Sequence, residues 1–391
     1  MKIIAAKYIF DGFKLLENKA LIINNYNVII DIINNDEYNH YRNYVYYNGI
    51  ISPGFINSHT HMELSFLKKK IKKNIGLTKF INEVISKKKR QYSNKEKYIY
   101  MRDAYHEMIQ EGIVAVVDIS NNTSSFLFKK KFQKINYHTF LEIIDINHNH
   151  NNIKSYLDIT RYNKLKISIT PHAPYSVKEI TLKMLGKTNQ SLSLNKDIYN
   201  YNILTIHNQE SIHENIMFKY GKGKIIDMYK KWNYKLDNFK CYKSNSLLTY
   251  LPWIINRKVL LVHNTYTNYN DFYYANQYSN VYWCLCPNAN LYINNKIPDK
   301  HIFESSKILL GTDSYASNNS LSILSEIKTI QKFYPNISLT TALKWCTSNP
   351  SSFFEWNHLG KIKIGLTPGI NLITDIINKK LTNISKIKVL I

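Results

Sequence analysis

Two histidines one residue apart, His59 and His61, stand near the end of the stretch Ile51-Ser-Pro-Gly-Phe-Ile-Asn-Ser-His-Thr-His-Met-Glu63. An apolar run leads into Pro53-Gly54, continues through Phe55 and Ile56, and stops at the pair. On a strand, residues i and i+2 project to the same side. Two imidazoles at a strand's C-terminal end can therefore aim at one point, and such pairs suit a first-row metal ion. The spacing alone is weak evidence. His148 and His150 repeat it inside the Asn-rich stretch Asn147–Asn152, which reads as a solvated loop. Further candidates follow other short apolar runs: Thr170-Pro-His172-Ala-Pro-Tyr-Ser176, His207-Asn-Gln-Glu210, His263-Asn-Thr265 and Gly311-Thr-Asp313.

These residues lie far apart along the chain, so the elements between them must bring them together. Residues 1–50 read as short strands, Lys2–Tyr8, Ala20–Ile23, Val28–Ile33 and Val45–Tyr47, with turn signals at Asp11-Gly12 and Asn24-Asn25. From residue 50 the pattern becomes apolar strand, polar loop, helix. Candidate strands are Ile50–Asn57, Ile113–Ile119, Tyr137–Ile144, Lys166–Thr170, Ile203–Ile206, Val259–Val262, Val281–Cys286 and Lys307–Leu310. Helices are expected over Lys95–Gln110, Val177–Leu185, Ile212–Lys230, Leu321–Phe333 and Leu339–Cys346. Strands alternating with helices in this number argue for a closed α/β barrel, (β/α)8, over an open sheet. In such a barrel the strand ends converge on one mouth, where polar residues read as functional. The bland alternative is five unrelated polar residues, each falling at a strand end by coincidence.

Length and composition narrow the classes. The 391 residues suffice for one large domain or two ordinary ones, and 44% hydrophobic residues can fill a sizeable core. Neither a signal peptide nor an apolar run long enough to span a membrane is legible. Cys241, Cys284, Cys286 and Cys346 form no disulfide framework, and Cys284-Leu-Cys286 is too isolated for a structural zinc site. A reducing cytoplasm is the simplest setting. The charge is anomalous: 52 Lys plus Arg against 28 acids, a net of +24. That invites a nucleic-acid or anionic-surface binder. The lysines are spread, however, with short runs only at Lys68–Lys70, Lys87–Arg90 and Lys129–Lys131, and no nucleic-acid module accompanies them. Asn, Ile, Lys and Tyr (31 Tyr) are abundant together, and all have A/T-rich codons, so compositional drift explains the charge better. Neither nucleic acid nor a membrane is expected as a partner.

Taken together, these motifs resemble the amidohydrolase superfamily, in its aminohydrolase branch of cytosine deaminases, chlorohydrolases, adenosylhomocysteine deaminases and aminofutalosine deaminases. The carrying segments are Pro53-Gly-Phe-Ile-Asn-Ser-His-Thr-His61, Pro171-His-Ala-Pro-Tyr-Ser176, His207-Asn-Gln-Glu210, His263-Asn-Thr265 and Gly311-Thr-Asp-Ser-Tyr-Ala-Ser-Asn318. The segment from Leu359 to Ile373 is similar to the glycine-rich stretch that returns to the N-terminal β layer in that family. The resemblance implies a small β-sandwich-like domain from residues 1–52 and 358–391, and a metal-dependent barrel over 53–357. It implies His59, His61, His207 and Asp313 as ligands of one divalent ion, zinc first and ferrous iron second. Two-metal relatives use a carboxylated lysine at the end of strand four. Here that strand runs into Ile169-Thr-Pro171, with Lys166 only at its start, so one ion is expected.

The same resemblance implies the chemistry. Metal-bound hydroxide would attack an amidine-like carbon of a small, nucleoside-like heterocycle, aminofutalosine among the candidates, and ammonia would leave. Glu210 would shuttle the proton, a transfer worth about 10²–10⁴-fold. His263 would orient the hydroxide, Asp313 would also accept a proton, and His172 would touch the substrate. Relatives are often dimers, so a homodimer stays open. One departure concerns specificity. Adenosylhomocysteine-type relatives hold ribose hydroxyls with a glutamate after strand one. Aligning Gly76–Arg90 puts Lys89 or Arg90 near its place, with Glu83 upstream, which makes Arg90 a substrate-binding candidate and a substrate carboxylate conceivable. A solvated helix end is the plain alternative for Lys87–Arg90, and a structural histidine for His172. Three other functions stand beside the deaminase: a hydrolase of cyclic amides or chloro-heterocycles, an inactive barrel serving as a binding subunit, and a basic nucleic-acid binder.

Overall fold

The computed structural model describes residues 1–38, 41, 43–90, 92–147, 165–187, 202–234, 236 and 239–391. His148 and His150 lie outside the described residues. Among the described residues no helix is long and apolar enough to cross a membrane.

Strand β1 (Lys2–Phe10) turns through Asp11–Lys14 into β2 (Leu15–Ile23), its antiparallel partner, and β3 (Ile29–Asn34) pairs antiparallel with β2. Strand β4 (Tyr44–Pro53) runs parallel to β1. Along β1, Ile3 and Ala5 pack in one cluster while Ile4 and Ala6 pack in another, the two-residue alternation of a sheet buried on both faces. The chain's far end completes this layer. A strand at Ile370–Ile373 pairs antiparallel with β4, and Ile387–Val389 pairs with that strand in turn. The result is one six-stranded sheet built from both ends of the chain.

The apolar run Ile50–Asn57, read above as one barrel strand, belongs to two sheets. Ile50–Pro53 is the end of β4, and the barrel begins with β5 (Phe55–Thr60). Gly54 is the crossing point: a Cβ there would sit 2.3 Å from Val114 Cγ1 and 2.9 Å from the Pro368 carbonyl. Apolar residues stand on both sides of Ser52-Pro53-Gly54 because both sheets bury their strands.

The barrel strands are β5, β6 (Ile113–Ser120), β7 (Asn136–Ile143), β8 (Ile167–Pro171), β9 (Ile203–Asn208), β10 (Lys258–His263), β11 (Val281–Leu285) and β12 (Ile308–Leu310). They form two four-stranded sheets, β5 to β8 and β9 to β12, with parallel pairing throughout. One seam closes where His207 N–H donates to the His172 carbonyl at 2.9 Å. The other closes where Thr312 and Asp313 N–H both reach the His59 carbonyl, at 3.1 and 3.0 Å. Both seams lie at the strands' C-terminal ends, so closure and site assembly are one event. Alternate residues fill the interior: Ile56, Val117, Phe140, Leu260, Val262, Cys284 and Leu309 share one cluster with Phe353, Phe354 and Trp356. Their neighbours Phe55, Val116, Leu261, Trp283 and Leu310 pack with the surrounding helices. Strands buried on both faces read as continuous apolar runs, as parallel barrel strands do.

The helices Asn94–Gln110 and Ile323–Phe333 lie close to expectation, the first with Ser93 and Glu96 in a reciprocal cap. The stretch Ile212–Lys230 is two helices, Ile212–Tyr220 and Lys224–Lys231, divided at Gly221 and Gly223, whose φ values are +61° and +104°. The helix Leu77–Lys89 follows strand β5 and buries Leu77, Thr78 and Phe80.

Candidate functional site

The site forms at the barrel's C-terminal mouth. His59 lies at the end of β5 and His61 just beyond it, and both are buried. Gly311 lets the chain after β12 press on them, since a Cβ there would fall 2.7 Å from His59 Cβ and 2.8 Å from its nitrogen. The turn after His61 is held by Asp118 at the end of β6, whose Oδ1 accepts from Met62 N–H at 2.7 Å. Asp118 itself forms a wholly buried ion pair with Lys129.

Backbone strain concentrates at the same mouth. Gln209, His263, Asn264 and Asp313 have φ of +44°, +73°, +58° and +54°. Each is a non-glycine residue in the left-handed region, at a cost of roughly 1–2 kcal/mol apiece. Three strand ends therefore leave regular geometry just where polar side chains must face inward.

The ligand atoms of His59, His61 and His207 all lie within 4.8 Å of one another. Asp313 Oδ1 is 3.7 Å from His59 Nε2 and 3.4 Å from His61 Nε2. Ser317 Oγ donates to the other carboxylate oxygen, which leaves Oδ1 turned to the histidines. His207 Nδ1 sits 2.8 Å from the His172 carbonyl. A carbonyl only accepts, so Nδ1 carries the proton and Nε2 is a bare donor atom for a metal. His59 has no hydrogen-bond partner on either ring nitrogen, though fully buried. An unmet buried polar atom costs about 1–3 kcal/mol, and a cation held by His59, His61, His207 and Asp313 would meet it. Burial holds the His59 and His207 rings well below the usual imidazole range, and neighbouring histidines add to the effect. Burial also lowers His61, against the pull of Asp313. Neutral rings are the metal-binding form.

Glu210 follows on the far side of Gln209, with His263 Nε2 at 3.8 Å from its Oε1. Burial pushes its carboxyl up to about 7, with His263 opposing and Asp313 adding. His263 Nδ1 lies 2.9 Å from Asn290 Oδ1, while Asn290 Nδ2 donates to the His263 carbonyl at 3.2 Å. That second bond fixes the amide orientation, so Nδ1–H donates and Nε2 faces the pocket. His172 is half-buried, its ring centroid 4.7 Å from that of His207, with Nδ1 at 2.7 Å from Ser176 Oγ. Burial, then His61 and Lys88, lower His172 to about 3, so it is neutral near pH 7.

The fold does not bring Arg90 to this cluster. It caps the helix Leu77–Lys89 and is exposed. Lys88 is the cation that reaches inward, donating to Glu63 Oε1 at 3.0 Å and to Asn121 Oδ1 at 2.8 Å. At about 100° per residue, two positions along a helix reverse the facing. Lys166 lies at the opposite end of β8 from His172, with Nζ 3.4 Å from the Phe354 carbonyl. Glu142, at the end of β7, escaped the sequence reading. Its Oε1 is 3.4 Å from His207 Nδ1, its Oε2 accepts from Asn121 Nδ2 at 2.6 Å, and its carboxyl is pushed well above the usual range by burial and Glu63. A carboxylate directly after the apolar pair Phe140-Leu141, at the end of a barrel strand, was the available signal.

Comparison with known proteins places the chain. Residues 50–390 match the profile of the Amidohydrolase family. The chain is 25% identical over 347 residues to an adenosine deaminase of Helicobacter pylori, covering 84% of this chain and 80% of that one. A solved aminofutalosine deaminase of Helicobacter pylori, in complex with methylthio-coformycin, is 22% identical with a TM-score of 0.77, covering 98% of this chain and 94% of that one. An adenosine deaminase from Xanthomonas campestris with bound zinc is 17% identical with a TM-score of 0.72, covering 95% and 84%. With the mouth of the barrel assembled as described and the family profile spanning all eight strands, this chain belongs to the amidohydrolase family.

Proposed function

We propose that this protein is a metal-dependent aminohydrolase that releases ammonia from an amino-substituted, nucleoside-like heterocycle. The carrying observation is Glu210: a buried carboxyl near neutrality, 3.8 Å from His263, beside a cluster of histidines and Asp313. His59, His61, His207 and Asp313 would hold one divalent ion. Zinc is the first choice, on the donor set and on the zinc-bound relative, and ferrous iron the second. Bound there, the ion supplies Lewis acidity that brings the pKa of a water toward neutrality.

The protein's own groups then divide the work. Glu210 takes a proton from the attacking water and delivers it to a ring nitrogen of the substrate. His263 presents Nε2 to the reacting centre, its Nδ1–H held by Asn290. Asp313 is a ligand and the second proton acceptor. His172, neutral and half-buried, is the proposed contact to the heterocycle. The carbon–nitrogen bond breaks as the amino group takes up the second proton, and ammonia departs. The adenosine deaminase and aminofutalosine deaminase relatives support a purine-nucleoside substrate. The free thiols Cys241, Cys284, Cys286 and Cys346 are consistent with a reducing cytoplasm.

The test is metal content with ammonia release across amino-purines, adenosine derivatives and aminofutalosine. One equivalent of metal and turnover of at least one member are expected. Full metal loading with no ammonia from any of them refutes the deaminase; chloride release or ring opening instead would select the sibling chemistries.

A further inference from the structure

His207 and Glu210 stand three residues apart at the end of β9. On a continued strand, residues i and i+3 face opposite sides. A regular backbone would therefore turn Glu210 away from the pocket that His207 faces. The alternation breaks at Gln209, whose φ is +44°. Glutamine has no intrinsic preference for that region, so the conformation is imposed from outside.

The imposing contacts are explicit. Gln209 N–H donates to Glu214 Oε1 at 3.1 Å. Its side-chain Nε2 donates to Asp271 Oδ2 at 2.6 Å and to Asn215 Oδ1 at 3.0 Å. Its carbonyl accepts from Tyr266 N–H at 2.9 Å. Gln209, Glu214 and Asp271 are all fully buried. Glu214 belongs to the helix Ile212–Tyr220 and Asp271 to the helix Tyr269–Asn276, so two helices outside the barrel grip the residue just before the acid. Beyond it, Asn294 Nδ2 holds the Glu210 carbonyl at 2.9 Å. These contacts hold the backbone on both sides of the turn, at the Gln209 N–H and carbonyl and at the Glu210 carbonyl, as well as the side chain.

We propose that Gln209 is a positioning residue for Glu210. Its amide, gripped by Asp271 and Asn215, and its N–H, gripped by Glu214, maintain the left-handed turn that carries the Glu210 carboxyl over to His263. The inference rests on the reading of Glu210 as the acid–base group.

The test uses the metal-loaded full-length protein. Gln209→Met keeps the volume and removes both amide hydrogen bonds. Metal content stays at the wild-type level and KM stays within about threefold, while kcat falls about 10- to 100-fold, the scale of a misplaced catalytic group. The limb of the pH–rate profile belonging to Glu210 shifts. A crystal structure of the variant shows the Glu210–His263 separation lengthened from 3.8 Å. Asp271→Ala gives the same loss should Gln209→Met fold poorly, and Asp271→Asn, which keeps an acceptor oxygen, restores most of it. Unchanged kcat, a kcat loss that merely tracks lost metal, or unmoved Glu210 geometry overturns the proposal. If the wild type deaminates nothing, the functional reading fails, and the crystal geometry alone decides the role of Gln209.

Discussion

Glu210→Gln separates chemistry from stability at one atom. The substitution keeps shape and volume and removes the transferable proton. Acid–base transfer of this kind contributes about 10²–10⁴-fold, so kcat falls roughly a thousandfold while metal content holds, because Glu210 is outside the ligand set. The stability effect has the opposite sign. Burial raises this carboxyl from 4.5 to about 7 in the metal-free protein. The folded chain thus holds the proton more tightly than the unfolded chain does. Stability is full below pH 4.5 and is lost as pH rises toward 7, by about 3 kcal/mol in all at 1.36 kcal/mol per pH unit of difference. A glutamine carries no such charge. Metal-free Glu210→Gln is therefore more stable than wild type at pH 8, by up to about 3 kcal/mol, with little difference at pH 4.5. Urea unfolding of both proteins at the two pH values, with ammonia release measured at pH 7, reads all of this. A variant retaining a tenth of wild-type kcat, or one less stable than wild type at pH 8, refutes the reasoning.

His59→Ala loses bound metal and activity together in elemental analysis; a full equivalent of retained metal would remove His59 from the ligand set. Lys88→Met strips a partner from buried Glu63 and costs about 2 kcal/mol in urea unfolding, whereas Arg90→Met leaves stability and KM unchanged within error; a KM raised by Arg90→Met alone would restore Arg90 as the substrate contact. Gly311→Ala forces a methyl to 2.7 Å from His59 Cβ, so metal affinity falls about 10- to 100-fold by titration, as when a ligand loses its support; unaltered affinity would mean the strand ends can part without disturbing the ligands.

Much of the architecture was legible in the primary structure because its signals are local. His59 and His61 share a face through a two-residue period, and each barrel strand records burial on both sides as a continuous apolar run. The polar residues after those runs are legible as candidates from their place in the pattern alone. Other features depend on elements meeting in space. The run from Ile50 to Asn57 is punctuated at Pro53-Gly54, but its apolar residues satisfy either sheet equally, so only strand pairing decides that two sheets share it. The facing of Lys88 over Arg90 depends on how the helix Leu77–Lys89 docks, and a row of adjacent cations reads alike at every phase. Glu142 becomes part of the site only when β7 and β9 bring their ends together. Gln209 owes its left-handed turn to Glu214 and Asp271 on two separate helices. Side-chain type and spacing settle which groups can do chemistry; which of them meet, and at what protonation, is decided by long-range pairing and burial, which no local period encodes.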